Sequence, residues 1–224
     1  LSEYRLMLER MKLGMFDPSQ QVTYDQIPYE INNSKAHDNL ALKMAQKSMT
    51  LIKNDGILPL NKNRIKKIAV IGPNADNINA LRGNYYGTAS NPVTVINGIK
   101  AESGPEIEVI YHKGVSLVTN QNKDSLVLSE RILKDIESAD VVIFVGGLDA
   151  TWEGEESNEM RSKNGVEGFF GGDRTKIELP EIQLNALKAI NKTGTPVVFV
   201  LLAGSAISFN GLEQELDAIL AAWY

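Results

Sequence analysis

Short runs of consecutive apolar residues recur along the chain and predict the strands of a sheet. Each run is rich in β-branched residues and apolar on both alternating faces, which is typical of strands that are covered on both sides. The runs are KIAVIG (67–72), IEVIYH (107–112), VVIFVGG (141–147), VVFVLLAG (197–204) and AILAAWY (218–224).

Segments with apolar residues at helical spacing separate these runs. One covers 125–138, and another covers 180–192 with Gly194 just past its end. A further helix is predicted from Ser34 to about Asn54. Strands that alternate with helices predict an α/β fold, in which a mostly parallel sheet carries helices on both faces as a three-layer α/β sandwich.

The start of the chain has a different pattern. The first residues predict an amphipathic helix that ends at Gly14, within the stretch LSEYRLMLERMKLGMFDP. The polar segment 18–33, with Pro18 and Pro28, predicts an extended linker. Charges interrupt every apolar run here, which is not the pattern of a signal peptide. The opening helix and the closing apolar run suggest a piece of a longer protein.

Composition narrows the function classes. The net charge of −5 argues against binding the phosphate backbone of nucleic acids. Without cysteine there are no disulfides or thiol nucleophiles, and two histidines, His37 and His112, poorly support a zinc site. No apolar stretch approaches the roughly 20 residues of a membrane span. We expect no cofactor, no metal, no nucleic acid and no membrane partner.

Loops at the carboxyl ends of parallel strands are where ligands bind in such folds. Three loops qualify: GPNAD after the run at 67–72, GGLDATWEGEE after 141–147 and AGSAISF after 197–204. The first lacks the later glycines of a dinucleotide fingerprint and the Lys-Ser/Thr pair of a P-loop, which disfavours nucleotide binding.

The acidic loop, residues 146–174, is long for a segment without clear periodicity. Trp152 beside carboxylates suits a sugar ring, and a carboxyl group near an aromatic ring and other carboxylates can act as a general acid. Arg174 can pair with one carboxylate and leave another free to hold a proton. Two alternatives stay open: a solvated acidic loop, or calcium held by Asp149, Glu153, Glu155, Glu156 and Glu159.

Several motifs together resemble family 3 glycoside hydrolases, most closely the β-xylosidase branch. They are KLGMFDP (12–18), AQKSMTLIKNDGILPL (45–60), IAVIGPNAD (68–76), GNYYGTASNPVTVINGI (83–99) and, within 146–183, GGLDATWEGEE and GGDRTKIELPEIQ. The resemblance implies that residues 1–17 end a preceding (β/α)₈ barrel domain, 18–33 link the domains, and 34–224 form an α/β sandwich domain truncated at its C-terminus. The barrel, which carries the family's aspartate nucleophile, is outside the chain.

The resemblance also implies roles for individual residues. Family members carry Glu-x-Glu ahead of Asp-Arg, and here Glu153 and Glu155 match the pair while Asp173 and Arg174 match the Asp-Arg. Glu155 is therefore expected to be the catalytic acid/base, with Glu153 a structural or substrate-contacting partner. Two alternatives to Glu155 stay open for the acid/base, Glu153 and Glu156, because the second glutamate and the insertion before Asp-Arg can shift the register.

Three aromatic residues are expected to contact the sugar: Trp152, Tyr85 and Tyr86. The implied reaction is retaining hydrolysis of terminal β-linked xylose or glucose from plant-type oligosaccharides, which needs the two carboxyl groups roughly 5–5.5 Å apart. The partners are then the oligosaccharide and the barrel domain of the same protein, and the fragment alone is inactive. We expect the enzyme to be exported to the periplasm or the medium. The alternative is a non-catalytic lid that binds sugar or calcium.

Overall fold

The chain divides into two compact units in a computed structural model that describes residues 1–83, 87–118, 128–153, 166, 168–170 and 173–224. The first unit is Leu1–Lys47 and the second is Ser48–Tyr224. Helix α1 is Ser2–Lys12, and Gly14 follows it with φ +71, the left-handed conformation that commonly ends a helix. Short 3₁₀ turns replace the predicted extended linker, at Ser19–Gln21, Thr23–Gln26 and Tyr29–Ile31. Helix α2 is Lys35–Ser48.

A six-stranded sheet forms the centre of the second unit. Its strands are β1 (Thr50–Asn54), β2 (Lys67–Ile71), β3 (Glu108–His112), β4 (Val141–Gly147), β7 (Val197–Leu202) and β8 (Ala218–Ala221), and a separate hairpin pairs β5 (Phe169–Phe170) with β6 (Asp173–Arg174). The order across the large sheet is β1-β8-β7-β4-β2-β3. Five strands run parallel, and β1 is antiparallel to β8. Each of the five predicted strand runs is confirmed.

Helices cover both faces of this sheet. Successive strand residues point to opposite sides, so the apolar strands present an apolar surface on each face that the helices bury. Ala69 and Phe144 join one buried cluster, which includes residues of α4 (Glu130–Glu137) and α5 (Glu181–Asn191). Val70 and Val145 join the other cluster, to which α3 (Val95–Ser103) contributes. The three-layer α/β sandwich is therefore confirmed.

One local prediction was wrong, and one helix was missed. The helix predicted from Ser34 to Asn54 ends at Ser48, and its last turns are strand β1 instead. Pairing with β8 supplies the backbone hydrogen bonds of these residues, and that pairing overrides a periodicity which continues through Leu51 and Ile52. Helix α3 was not predicted, since it is short and contains Gly98.

The remaining helix boundaries are close to expectation. Helix α5 agrees with 180–192, although Pro180 lies just before its first residue. Helix α4 begins after Ser129, whose hydroxyl accepts a hydrogen bond from the backbone N–H of Ile132. The first predicted turn of that helix, 125–127, lies outside the described residues.

The order of the strands marks one position in the sheet. The chain leaves β2 towards β3 on one side, whereas it leaves the neighbouring strand β4 towards β7 on the other side, so the connections from these two strands run in opposite directions. In open parallel sheets, ligands bind outside the carboxyl ends of the strands at such a switch point. In the part of the chain that the structure describes, no helix is long and apolar enough to cross a membrane.

Candidate active site

A cleft of about 540 Å³ opens at this switch point. It lies beyond the carboxyl ends of β2, β3 and β4, and its lining combines polar and apolar side chains. The lining residues that bear on the argument are Asp76, Asn77, Tyr111, Lys113 and Trp152. Because the acidic loop starts from β4, this cleft is the space that its first residues face.

Gln183 holds the root of the acidic loop. Its side chain, which is fully buried, accepts a hydrogen bond from the Gly147 N–H at 2.9 Å and donates to the Gly147 carbonyl at 2.8 Å. It also donates to the Leu117 carbonyl at 2.7 Å. Gly147 has φ +105, and a Cβ there would overlap the carbonyl of Leu202. The backbone at Gly147, where the acidic loop leaves β4, is therefore held in one conformation.

The GPNAD loop and the adjacent Asn77 hold the residues that follow Gly147 in the acidic loop. The Asn74 amide donates to the Leu148 carbonyl at 3.0 Å, and the Asn77 amide donates to the Asp149 carboxylate at 3.2 Å. Asp149, which is buried, also accepts hydrogen bonds from the backbone N–H and the hydroxyl of Thr151. This loop thus contributes to the structure of its neighbour.

Trp152 lines the cleft, as a sugar-contacting aromatic residue would. Its ring packs against Phe169 of strand β5, with ring centroids 5.0 Å apart and planes tilted by 58°. Both belong to a small apolar cluster around Leu148 and Val118. That cluster fixes the indole at the edge of the cleft.

Glu153 is the most heavily bonded side chain of the loop among the described residues. One carboxylate oxygen accepts from the Gly204 N–H at 2.7 Å and from the Tyr224 hydroxyl at 2.9 Å. The other accepts from the Ser205 hydroxyl and lies 3.6 Å from the Arg174 guanidinium. Only 5% of the Glu153 side chain is exposed.

Arg174 confirms the predicted pairing with a carboxylate of the acidic loop, and the carboxylate is that of Glu153. The same guanidinium nitrogen donates to the Ser205 hydroxyl at 2.7 Å and to the Ala206 carbonyl at 3.1 Å. Ser205 therefore bridges the two charged groups. We call this set, Glu153, Arg174, Gly204, Ser205 and Tyr224, the Glu153 anchor.

Tyr224 is a permanent donor in the anchor. Burial raises the pKa of its phenol well above the usual range, and the hydrogen bond to the Glu153 carboxylate raises that pKa further. The hydroxyl therefore keeps its proton at any pH at which a folded enzyme works.

The remaining predicted site residues lie outside the described residues: Glu155, Glu156, Tyr85 and Tyr86. Their roles stay predictions. The calcium alternative needed Asp149 and Glu153 together with residues of that segment, and both described carboxylates are engaged by hydrogen-bond donors. Within the described residues, no three or more acidic or histidine side chains are grouped so that they could hold a metal ion.

Sequence reasoning missed Gln183, Asn77, Ser205 and Tyr224. Gln183 carried a usable signal, because it is a polar residue among the apolar positions of α5 that face the sheet. Tyr224 carried none, since it lies 71 residues from Glu153 along the chain.

Comparison with known proteins places this site in a family context. A family model described as the glycosyl hydrolase family 3 C-terminal domain matches residues 49–224. A β-xylosidase of Formosa agariphila is 31% identical over 227 residues, which include 98% of this chain and 28% of that protein.

Solved structures of family 3 glycoside hydrolases are also similar to this chain. A family 3 exo-β-xylosidase in complex with a xylobiose aziridine activity-based probe superposes with a TM-score of 0.81 at 29% identity, over 98% of this chain and 26% of the other. A family 3 β-glucosidase of Bifidobacterium adolescentis has a TM-score of 0.71 at 28% identity, over 96% of this chain and 29% of the other. The chain thus spans between a quarter and a third of the length of these relatives.

Proposed function

Because the chain belongs to glycoside hydrolase family 3, as its C-terminal domain, we propose that it is the acid/base half of an exo-acting, retaining β-glycosidase. The observation that carries the proposal is the position of the acidic loop. It leaves β4 beside the cleft at the switch point. Trp152 lines the cleft, and Glu153 accepts a hydrogen bond from Gly204, which follows the carboxyl end of β7. Glu155 follows Glu153 by two residues, and two residues span at most about 7 Å of backbone.

In this proposal Glu155 transfers one proton in each half of the reaction. It first donates its proton to the glycosidic oxygen, so that the leaving sugar departs as a neutral alcohol while an aspartate of a preceding barrel domain bonds to the anomeric carbon. The Glu155 carboxylate then takes a proton from water, whose oxygen displaces the aspartate and restores the starting protonation state.

The proposed substrate is an oligosaccharide that ends in β-linked xylose or glucose. The names of the relatives support both sugars, since they include β-xylosidases and a β-glucosidase. Trp152, with Tyr85 and Tyr86, contacts the sugar ring, whose apolar face stacks on aromatic side chains. Export to the periplasm or the medium, where plant oligosaccharides are found, is part of the same proposal.

The first test compares the full-length protein that carries this chain with the isolated chain 1–224. We expect the full-length protein to hydrolyse an aryl β-xyloside or an aryl β-glucoside, and the ratio of kcat/KM for the two identifies the sugar. We expect the isolated chain to show no turnover at enzymatic rates, because its nucleophile is missing. Turnover by the isolated chain would contradict the two-domain site. A full-length protein that binds xylo-oligosaccharide without cleaving it would favour the non-catalytic lid.

A second test concerns Trp152. In the full-length protein, Trp152→Ala is expected to raise KM by roughly 10- to 100-fold with a small change in kcat, because burying an aromatic ring stabilises a complex by about 1.5–3 kcal/mol. Trp152→Phe keeps part of the packing on Phe169 and should have a smaller effect. Phe170→Ala is the control, since Phe170 is 72% exposed and neighbours Phe169 in the same hairpin. Equal effects of Trp152→Ala and Phe170→Ala would argue against a sugar contact.

A further inference from the structure

We propose that Glu153 is a positioning residue and not a substrate ligand, and that the Glu153 anchor holds the acidic loop where Glu155 can transfer its proton. The inference rests on the proposed function. It assigns the first glutamate of the Glu-x-Glu pair, Glu153, to the geometry of the loop, and it adds Tyr224 and Ser205 to the residues on which catalysis depends.

The first support is that the carboxylate of Glu153 is buried and bonded within the domain. One oxygen accepts hydrogen bonds from the Gly204 N–H and the Tyr224 hydroxyl, and the other accepts one from the Ser205 hydroxyl and forms an ion pair with the Arg174 guanidinium at 3.6 Å. These partners are donors or cations, which an ionised carboxylate, an acceptor only, prefers. With 5% of its side chain exposed, Glu153 presents little surface to a sugar hydroxyl.

The second support is the origin of the partners. Gly204 and Ser205 follow β7, Tyr224 follows β8, and Arg174 is in β6. Strands β4, β7 and β8 are neighbours in the sheet, so one side chain from the loop after β4 is bonded to the segments that follow the next two strands. The segment that contains Glu155 begins directly after this attachment point.

The third support is the packing of Tyr224 on Gly204. A Cβ at Gly204 would overlap the Tyr224 hydroxyl, so the absence of a side chain there allows the phenol to reach Glu153. The hydroxyl is thereby confined to one place, and its raised pKa keeps it a donor. Placing a reacting group wrongly by about 1 Å can cost 10²-fold in rate, so an attachment of this kind affects catalysis without contact to the substrate.

The test uses the full-length protein and three variants: Tyr224→Phe, Ser205→Ala and Glu153→Gln. Each removes hydrogen bonds of the anchor and leaves Glu155 intact. We expect Tyr224→Phe to lower kcat/KM on unactivated xylobiose by about tenfold, and Glu153→Gln to lower it by about 10²-fold. On an aryl β-xyloside with a good leaving group, which needs little protonation, kcat/KM should change less than threefold. Azide should raise kcat of the variants on the aryl substrate.

Tyr29→Phe is the matched control, because Tyr29 is 83% exposed and takes no part in the anchor. Hydrogen exchange of the peptide that covers 147–166 gives a second readout, which does not depend on activity. We expect exchange in this peptide to be faster in Tyr224→Phe than in the unmodified protein and unchanged in Tyr29→Phe.

Three results would overturn the proposal. One is a rise in KM in Glu153→Gln while the ratio of the rates on xylobiose and on the aryl β-xyloside stays that of the unmodified protein, which would make Glu153 a substrate ligand. Another is an equal loss on both substrates without an azide effect, which indicates less folded enzyme. The third is unchanged hydrogen exchange in Tyr224→Phe. If the unmodified protein cleaves neither substrate, the proposed function fails instead, and the exchange measurement still decides whether the anchor holds the loop.

Discussion

Glu155→Ala in the full-length protein is expected to lower kcat on an unactivated xylo-oligosaccharide by about 10²–10⁴-fold, which is the usual contribution of a general acid/base. The leaving sugar needs a proton, and alanine cannot supply it. On an aryl β-xyloside with a good leaving group, formation of the glycosyl-enzyme should persist while its hydrolysis slows. Azide, which attacks without base assistance, should then restore turnover.

The comparison variant is Glu156→Ala, one residue further along the same acidic segment. It should retain activity on both substrates and show no response to azide. If Glu156→Ala has the azide-rescued pattern and Glu155→Ala does not, the domain still supplies the acid/base but the assignment moves by one residue. If both variants lose only affinity, the proton donor belongs to another part of the protein.

The second large effect is on stability. Gln183→Leu is expected to lower the free energy of unfolding of the chain by at least about 3 kcal/mol. Leucine fills similar space, but it leaves the N–H and carbonyl of Gly147 and the carbonyl of Leu117 without their partner. Each unpaired buried polar group costs about 1–3 kcal/mol. Urea denaturation followed by circular dichroism measures the change.

Gln214→Leu is the matched control, because it makes the same substitution at an exposed position of the second unit. Its effect should stay within about 0.5 kcal/mol. A cost below 1 kcal/mol for Gln183→Leu would mean that the root of the acidic loop can find other partners. The hydrogen bonds between Gln183 and Gly147 would then not be needed to direct the loop.

The sheet could be predicted from the sequence because its strands are buried on both faces. All of β4 and β7 is buried, so every position along them must be apolar or glycine and the runs are easy to recognise. Strand β1 is an edge strand with exposed residues, and nothing local distinguishes it from the end of helix α2. Its conformation depends on hydrogen bonds to β8, which lies more than 160 residues later.

Some features of the candidate site could likewise be predicted from the sequence, and others could not. Local composition predicted an interaction of Trp152 with a cleft and a charge pairing of Arg174 with a carboxylate, and the structure shows Trp152 at the cleft and Arg174 paired with Glu153. The choice of Glu153 as the paired carboxylate depends on Gly204, Ser205 and Tyr224, which only the order β4-β7-β8 brings beside it. Such a network is a property of topology, and no spacing along the chain encodes it.

The ion pair between Glu153 and Arg174 also has a consequence for how this segment can change in evolution. The pair joins the two ends of the stretch 154–173, so the ends meet whatever the length between them. The entropy lost on closing a loop grows only with the logarithm of its length, by about 0.6 kcal/mol for each doubling. Insertions between these two residues are therefore thermodynamically inexpensive. This stretch of sequence can therefore be lengthened and diversified while the sheet is left unaltered.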